Sequence, residues 1–355
     1  MFWRLNRRRL FYVIGFIAIL GLIAIFGGYE ALISPNSLEL STSSVSTTES
    51  INYTLLFVGD VMLSRGIGAI IDHKQNPSYP FLLIDSATRA VDLAFANLEN
   101  PISTGGKNQG SEYSFRADPE SAILALQYAG FDVVNLANNH IWDYGSQAAL
   151  DTMKYLREAG IGYVGFGRNY EEANSPVIKK VGENRIAFLG YTEFYSSSLW
   201  ADDQLGLSEF EQDKIAQRVS EIKKAGQADI VVVSFHWGEE YKSSANDTQR
   251  LIAHALVDAG ADLVIGHHPH VAQEVERYEV PVSASGLVGR VGYIAYSLGN
   301  FVFDQNFSPE TRRGLMLSVT IKDGKVLMAD SIEIGFSKEY QPYVLSSESS
   351  ADSIK

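Results

Sequence analysis

Three histidines lie within four positions of one another in the segment DLVIGHHPH (262–270). They are His267, His268 and His270, and they directly follow an apolar run that is typical of a buried strand. Imidazole binds divalent transition metals and also transfers protons near neutral pH. Histidines gathered at the end of a strand therefore indicate metal binding or acid–base chemistry.

Other apolar runs also end on polar side chains that can bind metals. Asp60, Glu99, Asn139 and His236 each stand at or just beyond the end of such a run. Because the carboxyl ends of strands form the functional edge of an open α/β sheet, we expect these side chains to converge with the histidine cluster. A single residue of this kind is more often structural, but several together favour a metal site. Carboxylate, amide and imidazole ligands suit Mn²⁺, Zn²⁺ or Fe²⁺ better than Ca²⁺ or Mg²⁺ alone.

A series of apolar runs predicts the strands that position these residues. The runs span 54–60, 92–100, 132–140, 161–167, 185–193, 229–240, 262–270 and 293–304. Runs of this length suit strands that are buried on both faces, and their alternation with helix-like segments predicts an α/β fold. Near the C-terminus, Asp323 and Gly324 separate two strand-like runs and predict a hairpin.

Helix-capping signals lie between the runs. Asp118 followed by Pro119 predicts the start of one helix, and Ser208 with Glu211 has the spacing of a capping box before another. His254 lies inside the apolar pattern of a further helix. We therefore expect His254 to be a core or surface residue and not a metal ligand.

The N-terminal part of the chain differs in composition from the remainder. Residues 1–9 contain four arginines, and residues 10–28 contain no charge and are long enough to cross a bilayer once. This pattern predicts a cytoplasmic basic segment and a single-pass transmembrane anchor, with the bulk of the chain outside the cell membrane. A cleaved signal peptide is the alternative, and it gives the same destination. Residues 29–51 are rich in serine and threonine and predict a flexible linker, which leaves a folded domain at 52–340 and a flexible tail at 341–355.

Composition excludes several classes of function. The chain has no cysteine, so it forms no disulfide, and any metal must be held by oxygen and imidazole nitrogen. The net charge of -13 argues against a general nucleic-acid binder, because such proteins present a basic face to phosphates. The hydrophobic content of 46% is that of a globular protein.

Six segments, in this order, closely resemble the CapA-type poly-γ-glutamate capsule synthesis proteins, a branch of the calcineurin-like metallophosphatases. They are GDVMLSRG (59–66), ANLENPIS (96–103), LANNHIWDYG (136–145), SFHWGEEY (234–241), IGHHPHV (265–271) and YSLGNFVFD (296–304). The resemblance implies a calcineurin-like sandwich of two mixed β-sheets flanked by helices. It also implies a site for two divalent metal ions at the strand ends.

Carried over residue by residue, the resemblance implies six metal ligands. They are Asp60, Glu99, Asn139, His236, His268 and His270. Glu99 takes the place usually held by a bridging aspartate. His268 and His270 match the final His-x-His pair of the family, but because His267 is adjacent, this alignment could shift by one position. Met62 is a departure, because ordinary phosphatases carry a histidine at this position. A thioether is a poor ligand for a hard divalent ion, so one ligand position lacks its usual occupant.

Three further residues are candidates for a part in catalysis. In the resembled enzymes, the residue at the position of His140 is a general acid or transition-state donor. Asp143 is placed to fix the tautomer of His140 by accepting its other N–H, or else is a turn residue. Arg65 is a candidate clamp for an anionic oxygen, since guanidinium pairs bidentately with phosphate or carboxylate; otherwise it is a surface charge.

Three functions remain open from the sequence. The first is a membrane-anchored, metal-dependent hydrolase of a phosphoester. The second is an accessory role in the synthesis, export or attachment of an anionic γ-glutamyl polymer, with polymer synthase or export subunits as partners. The third is a scaffold without catalysis. The intact ligand set favours catalysis, whereas Met62 favours the scaffold.

Overall fold

The structure, a computed structural model, describes residues 51–281 and 289–345. The predicted transmembrane helix at 10–28 and its flanking segments lie outside the described residues. Within the part of the chain that is described, no helix is both long and apolar enough to cross a membrane.

The described residues form an α/β fold. The strands are β1 (Tyr53–Val61), β2 (Leu93–Leu98), β3 (Val133–Asn135), β4 (Gly162–Val164), β5 (Phe166–Gly167), β6 (Val177–Val181), β7 (Asn184–Thr192), β8 (Gly206–Leu207), β9 (Ile230–His236), β10 (Leu263–His267), β11 (Val275–Glu279), β12 (Val291–Ala295), β13 (Asn300–Val302), β14 (Arg313–Lys322), β15 (Lys325–Phe336) and β16 (Pro342–Val344). The α-helices are α1 (Arg65–Lys74), α2 (Asp85–Thr88), α3 (Pro119–Ala129), α4 (Gly145–Glu158), α5 (Tyr170–Asn174), α6 (Gln212–Lys224) and α7 (Asp247–Ala259).

Two mixed β-sheets carry the fold, as the family resemblance implied. The first sheet has the order β16-β15-β14-β1-β2-β3-β4, with β13 also paired to β1, and the second has the order β11-β12-β10-β9-β7-β6. In the first sheet β1 to β4 are parallel, and the antiparallel strands β14 to β16 lie on the other side of β1. In the second sheet β12, β10, β9 and β7 are parallel, and β11 and β6 flank them as antiparallel edge strands. The parallel strands are covered on both faces, which explains why every residue of β2 and β9 is buried and most of them are apolar.

Apolar side chains from both sheets meet in one layer. Phe57 of β1 and Phe95 of β2 pack with Phe188 of β7, and the Phe95 and Phe188 rings stack with centroids 5.6 Å apart. Helices α3 and α4 cover the outer face of the first sheet, and α6 and α7 cover that of the second. The two sheets therefore share a core that fixes the position of one set of strand ends relative to the other.

The helix caps agree with the sequence in one case and differ in another. Asp118 accepts a hydrogen bond from the backbone N–H of Ser121 and begins α3, as predicted. The capping box predicted at Ser208 is wrong, because α6 begins at Gln212. The Ser208 hydroxyl instead donates to the carbonyl of Gly190 at 2.6 Å, a tertiary contact that sequence spacing cannot reveal.

The C-terminal strands include one that the sequence did not predict. The hairpin around Asp323 and Gly324 is confirmed as β14 and β15. The tail predicted to be flexible from residue 341 is wrong for Pro342–Val344, which form β16 and pair with β15. Its three residues are too short a run to show a periodicity.

The segment predicted as one strand at 293–304 divides between the two sheets. β12 pairs with β10 in the second sheet, and β13 pairs with β1 in the first. Between these two strands the chain passes close to Gly59. The backbone N–H of the next residue, Asp60, donates to the carbonyl of Gly299 at 2.9 Å. A side chain on Gly59 would place its Cβ only 1.9 Å from that carbonyl oxygen.

We expect Gly59→Ala to destabilise the protein because the backbone around Gly299 must move. Overpacking of this kind costs about 1–3 kcal/mol or more. Gly68→Ala in α1 is the matched control: its Cβ would meet no atom closer than the Leu63 carbonyl at 3.4 Å. Alanine also stabilises a helix by roughly 0.5–1 kcal/mol relative to glycine. Urea unfolding of both variants measures the difference, and a Gly59→Ala midpoint at or above that of Gly68→Ala would contradict it.

Candidate metal centre

Strands β1 and β2 bring two carboxylates side by side. Asp60 lies near the end of β1, Glu99 directly follows β2, and both side chains are fully buried. Asn97 lies opposite Asp60 in the parallel register, and its amide donates to Asp60 Oδ1 at 2.8 Å. The carboxyl edge of the first sheet is therefore strongly acidic.

The second sheet supplies imidazoles to the same edge. His236 ends β9 and lies opposite His267, which ends β10. His268 and His270 follow with φ values of 98° and 57°. Non-glycine residues rarely adopt positive φ, and such strained positions concentrate at functional sites. With this backbone, the His270 side chain faces Asp60 and Glu99, and the His268 side chain faces His236.

The oxygen Oε1 of Glu99 lies at the centre of the cluster. His140 Nε2 and His270 Nε2 are each 3.6 Å from it, and His236 Nε2 is 3.9 Å away. This buried oxygen accepts no hydrogen bond from any described residue. A buried carboxylate oxygen without a donor is costly, whereas a cation surrounded by these imidazoles would satisfy it. The residues present therefore fit a metal ion.

The candidate ligand atoms lie in two groups, and His236 Nε2, 3.9 Å from Glu99 Oε1, connects them. On one side, His270 Nδ1 is 3.3 Å from Asp60 Oδ2, and one ligand atom from each of Asp60, Glu99 and His270 lies within 4.8 Å of the others. On the other side, His236 Nε2 is 2.8 Å from Asn139 Oδ1 and 3.2 Å from His268 Nδ1. The six ligands predicted from the sequence thus lie in one place.

The two carboxylates have opposite pKa shifts. Burial, followed by the charges of Asp60 and Glu240, raises the pKa of Glu99 well above its usual range. Burial would also raise the pKa of Asp60, but contacts with the His267 and His270 imidazoles hold it well below its usual range.

The buried histidines have the complementary shift. Burial and the neighbouring His268 lower the pKa of His236, and burial and the nearby His270 lower that of His268 to about 3. Neutral imidazoles keep a lone pair for a metal, and the excess of negative charge favours a cation.

His140 and Asp143 form a fixed pair beside the carboxylates. His140 Nδ1 is 2.8 Å from Asp143 Oδ2, which also accepts the backbone N–H of Phe115 at 2.7 Å. The Phe115 ring stacks on the imidazole with centroids 3.9 Å apart. Asp143 therefore accepts from Nδ1, and the free Nε2 faces Glu99.

Arg65 lies at the rim of the site and not among the ligands. Its guanidinium is 3.0 Å from Asp304, and its side chain is 36% exposed. It lines a cavity of 230 Å³ together with His140 and His270. One carboxylate contact leaves guanidinium donors free for an anionic group in this cavity.

The structure shows the surroundings of His267 and of Met62. The His267 ring packs near Phe95, and its Nδ1 is 3.5 Å from Asp60 Oδ1, whereas His270 approaches Oδ2. His267 thus lies behind the carboxylate, and His268 and His270 form the pair at the site. The Met62 sulfur accepts from the Ser64 amide at 3.2 Å and hydroxyl at 3.0 Å.

Two asparagines of the site were not among the ligands predicted from the sequence. Asn97 donates to Asp60, and its Nδ2 is also 3.2 Å from His236 Nδ1. It lies on β2 two residues before Glu99, so the same apolar run ends on both side chains. Asn300 Oδ1 lies 3.1 Å from His270 Nδ1. Asn300 lies on β13, and the predicted strand at 293–304 did not distinguish β13 from β12.

A core of two mixed sheets, with carboxylates, histidines and asparagines gathered at its strand ends, defines an α/β protein with a candidate metal centre. Residues 54–305 match the family described as "Bacterial capsule synthesis protein PGA_cap", and the chain belongs to that family.

Individual relatives agree with this assignment. "Capsule biosynthesis protein CapA" of Bacillus anthracis is 33% identical over 300 residues, which cover 83% of this chain and 70% of that protein. "PGA biosynthesis protein CapA" of Bacillus subtilis (strain 168) is 35% identical over 288 residues, which cover 80% of this chain and 72% of that protein. A solved phosphatase structure from Mycoplasma pneumoniae has a TM-score of 0.46 and 13% identity, and covers 81% of this chain and 94% of that chain.

We expect Glu99→Gln to lose most of the bound metal and to stabilise the metal-free protein. Glutamine has no carboxylate to bind the ion, and its amide N–H can donate to a neutral imidazole, which relieves a cost of roughly 1–3 kcal/mol for the unpaired buried oxygen. Elemental analysis after incubation with Mn²⁺ measures the metal, and denaturant unfolding in a chelator measures the stability.

Glu276→Gln is the matched control, because Glu276 pairs with His254 and not with the ligands. For the histidines, His236→Ala and His270→Ala should reduce bound metal, whereas His254→Ala should not. Equal metal content in all these variants would contradict the assignment of the site.

Proposed function

We propose that this protein is a membrane-anchored, extracellular, metal-dependent hydrolase that acts in the synthesis, export or attachment of a poly-γ-glutamate-type envelope polymer. The names of the two Bacillus relatives support the process. One observation carries the metal-dependent part of this proposal: Glu99 Oε1 is buried without a donor among the described residues and faces three imidazole nitrogens at 3.6–3.9 Å. The partners proposed are polymer synthase or export subunits in the membrane.

The metal site is proposed to hold two divalent ions, of Mn²⁺, Zn²⁺ or Fe²⁺. The ligands would be Asp60, Glu99, Asn139, His236, His268 and His270. When bound, such ions supply Lewis-acid polarisation of a phosphoryl or carbonyl centre and an activated water. The protein contributes a preformed, buried set of neutral imidazoles and charged oxygens.

His140 is proposed as the proton donor. Asp143 accepts the proton of Nδ1 at 2.8 Å, so a second proton on Nε2 produces an imidazolium that the carboxylate stabilises. His140 lines the cavity, where Nε2 can deliver that proton to a leaving group. Asp143 is a positioning residue, since its role is to orient the imidazole and fix its tautomer.

The cavity limits what part of a substrate enters. Its volume of 230 Å³ is below the range of about 300–1,000 Å³ that is typical of pockets for whole ligands. A single phosphoester or amide linkage with its neighbouring atoms fits there, whereas a folded polymer does not. Arg65 at the rim would hold a phosphate or carboxylate oxygen of that group.

A non-catalytic accessory subunit is the second candidate function. The buried Met62, whose sulfur is engaged by Ser64, favours it, because one usual ligand position carries no ligand. A general cell-surface phosphoesterase, independent of any polymer, is the remaining alternative. The behaviour of a His140 variant separates enzyme from scaffold.

His140→Gln should keep the fold and the metal but lose turnover, because glutamine cannot transfer a proton. General acid–base catalysis contributes about 10²- to 10⁴-fold, and we expect a loss of kcat in that range. The assays are hydrolysis of an aryl phosphodiester and of a γ-glutamyl peptide at saturating Mn²⁺, alongside metal analysis. His73→Gln, an exposed histidine of α1, is the matched control.

Wild-type turnover in the His140 variant would remove His140 from the mechanism. Lost turnover with unimpaired capsule output in cells would make the scaffold role primary.

The proposed anchor predicts where the chain fractionates. The full chain should sediment with membranes, whereas a chain that begins at Ser50 should stay in solution without detergent, since it lacks the apolar segment 10–28. Immunoblotting of the two fractions measures the outcome. An intact chain beginning at Met1 and found in the soluble fraction would contradict the anchor.

A further inference from the structure

Glu240 is an acidic residue of the cavity to which the metal assignment gives no role. It follows β9 by four positions, is exposed, and lines the same cavity as His140 and His270. One carboxylate oxygen of Glu240 and one nitrogen from each of His268 and His270 lie within 4.8 Å of one another. This is a second ligand cluster, and it shares His270 with the buried cluster of Asp60 and Glu99.

We propose that Glu240 is a metal ligand of this site and closes its cavity-facing side in place of the ligand that Met62 does not supply. This inference rests on the proposed function, because it assigns a further ligand to the same pair of ions. The ion held by Glu240, His268 and His270 should exchange faster than the other, because Glu240 is exposed to solvent.

The backbone holds Glu240 over the histidines. Gly238 has a φ of 86° and Tyr241 a φ of 63°, so the chain turns sharply after β9. The amide of Tyr241 donates to the carbonyl of Pro269 at 2.8 Å, which ties this turn to the loop between His268 and His270. Glu240 is therefore placed by the same loop that presents the two imidazoles.

Ligand chemistry supports the same assignment. Glu240 adds a third carboxylate to a site that already contains Asp60 and Glu99, and its ligand cluster shares His270 with theirs. Carboxylate oxygens and imidazole nitrogens are the donor types that Mn²⁺, Zn²⁺ and Fe²⁺ bind.

The neighbouring Glu239 shows that the position is specific. It is also exposed, but it lines a different cavity together with Lys242 and Asn246. Two adjacent glutamates of equal charge thus face different surroundings, and only Glu240 belongs to a ligand cluster among the described residues. Glu239 is therefore a matched control for the loss of one negative charge.

The test is a calorimetric titration of the metal-free full chain in detergent with Mn²⁺, for wild type, Glu240→Gln and Glu239→Gln. We expect wild type and Glu239→Gln to bind two ions, and Glu240→Gln to bind one of them at least about 10- to 100-fold more weakly. Mutating a residue that only hydrogen-bonds to a metal ligand already lowers metal affinity by about 10- to 100-fold, so removing a ligand should lower it at least as much. Electron paramagnetic resonance should show coupled Mn²⁺ pairs in the first two proteins and uncoupled Mn²⁺ in Glu240→Gln.

The outcomes separate this inference from the proposed function. Two ions bound by Glu240→Gln with wild-type affinity would overturn the role of Glu240 and leave the two-ion site intact. Equal weakening in both variants would show an effect of net charge and would also overturn it. A wild-type chain that binds no divalent ion would overturn the proposed function, and this inference with it. Unfolding of the metal-free variants should match wild type, since both side chains are exposed.

Discussion

The juxtaposition of two buried carboxylates is the constraint on which the rest of this structure depends. Asp60 and Glu99 are fully buried at the ends of neighbouring strands. Burial and the charge of Asp60 both disfavour ionisation of Glu99 and raise its pKa. Hydrogen bonds from surrounding groups offset only part of this desolvation cost. Asn97 donates to Asp60, but Glu99 Oε1 has no donor among the described residues.

The backbone next to the carboxylates meets a second constraint, because two sheets must be held together there. The chain between β12 and β13 crosses from one sheet to the other, and Leu298 donates to the carbonyl of Gly266 while Gly299 accepts from Asp60. A Cβ on Gly266 would lie 1.8 Å from the Tyr296 carbonyl. Glycine is therefore required on both sides of the crossing. Its hydrogen bonds set the distance between the carboxylates of one sheet and the histidines of the other.

These constraints explain how far the sequence predicts the structure. Buried parallel strands are apolar along their whole length, so β1, β2, β9 and β10 are evident from composition, and their polar ends reveal the ligands. The crossing of 293–304 between sheets is not evident, because both halves are apolar and only tertiary pairing separates them. Asn300 was missed for that reason. Ser208 was misread because its hydroxyl bonds to a distant carbonyl, which local spacing does not encode.

The overall charge of the chain constrains how it could meet an anionic polymer. At a net charge of -13 the protein repels such a polymer on approach, although salt limits that repulsion to about 8 Å at physiological ionic strength. Contact must then come from local positive charge. The described cavity offers Arg65, whose guanidinium is shared with Asp304, beside a site rich in carboxylates. A metal-free cavity would thus repel the polymer it is proposed to act on. Cations bound at Asp60, Glu99 and the histidines would reverse the sign of its field, so substrate binding in the proposed function depends on metal as much as the chemistry does.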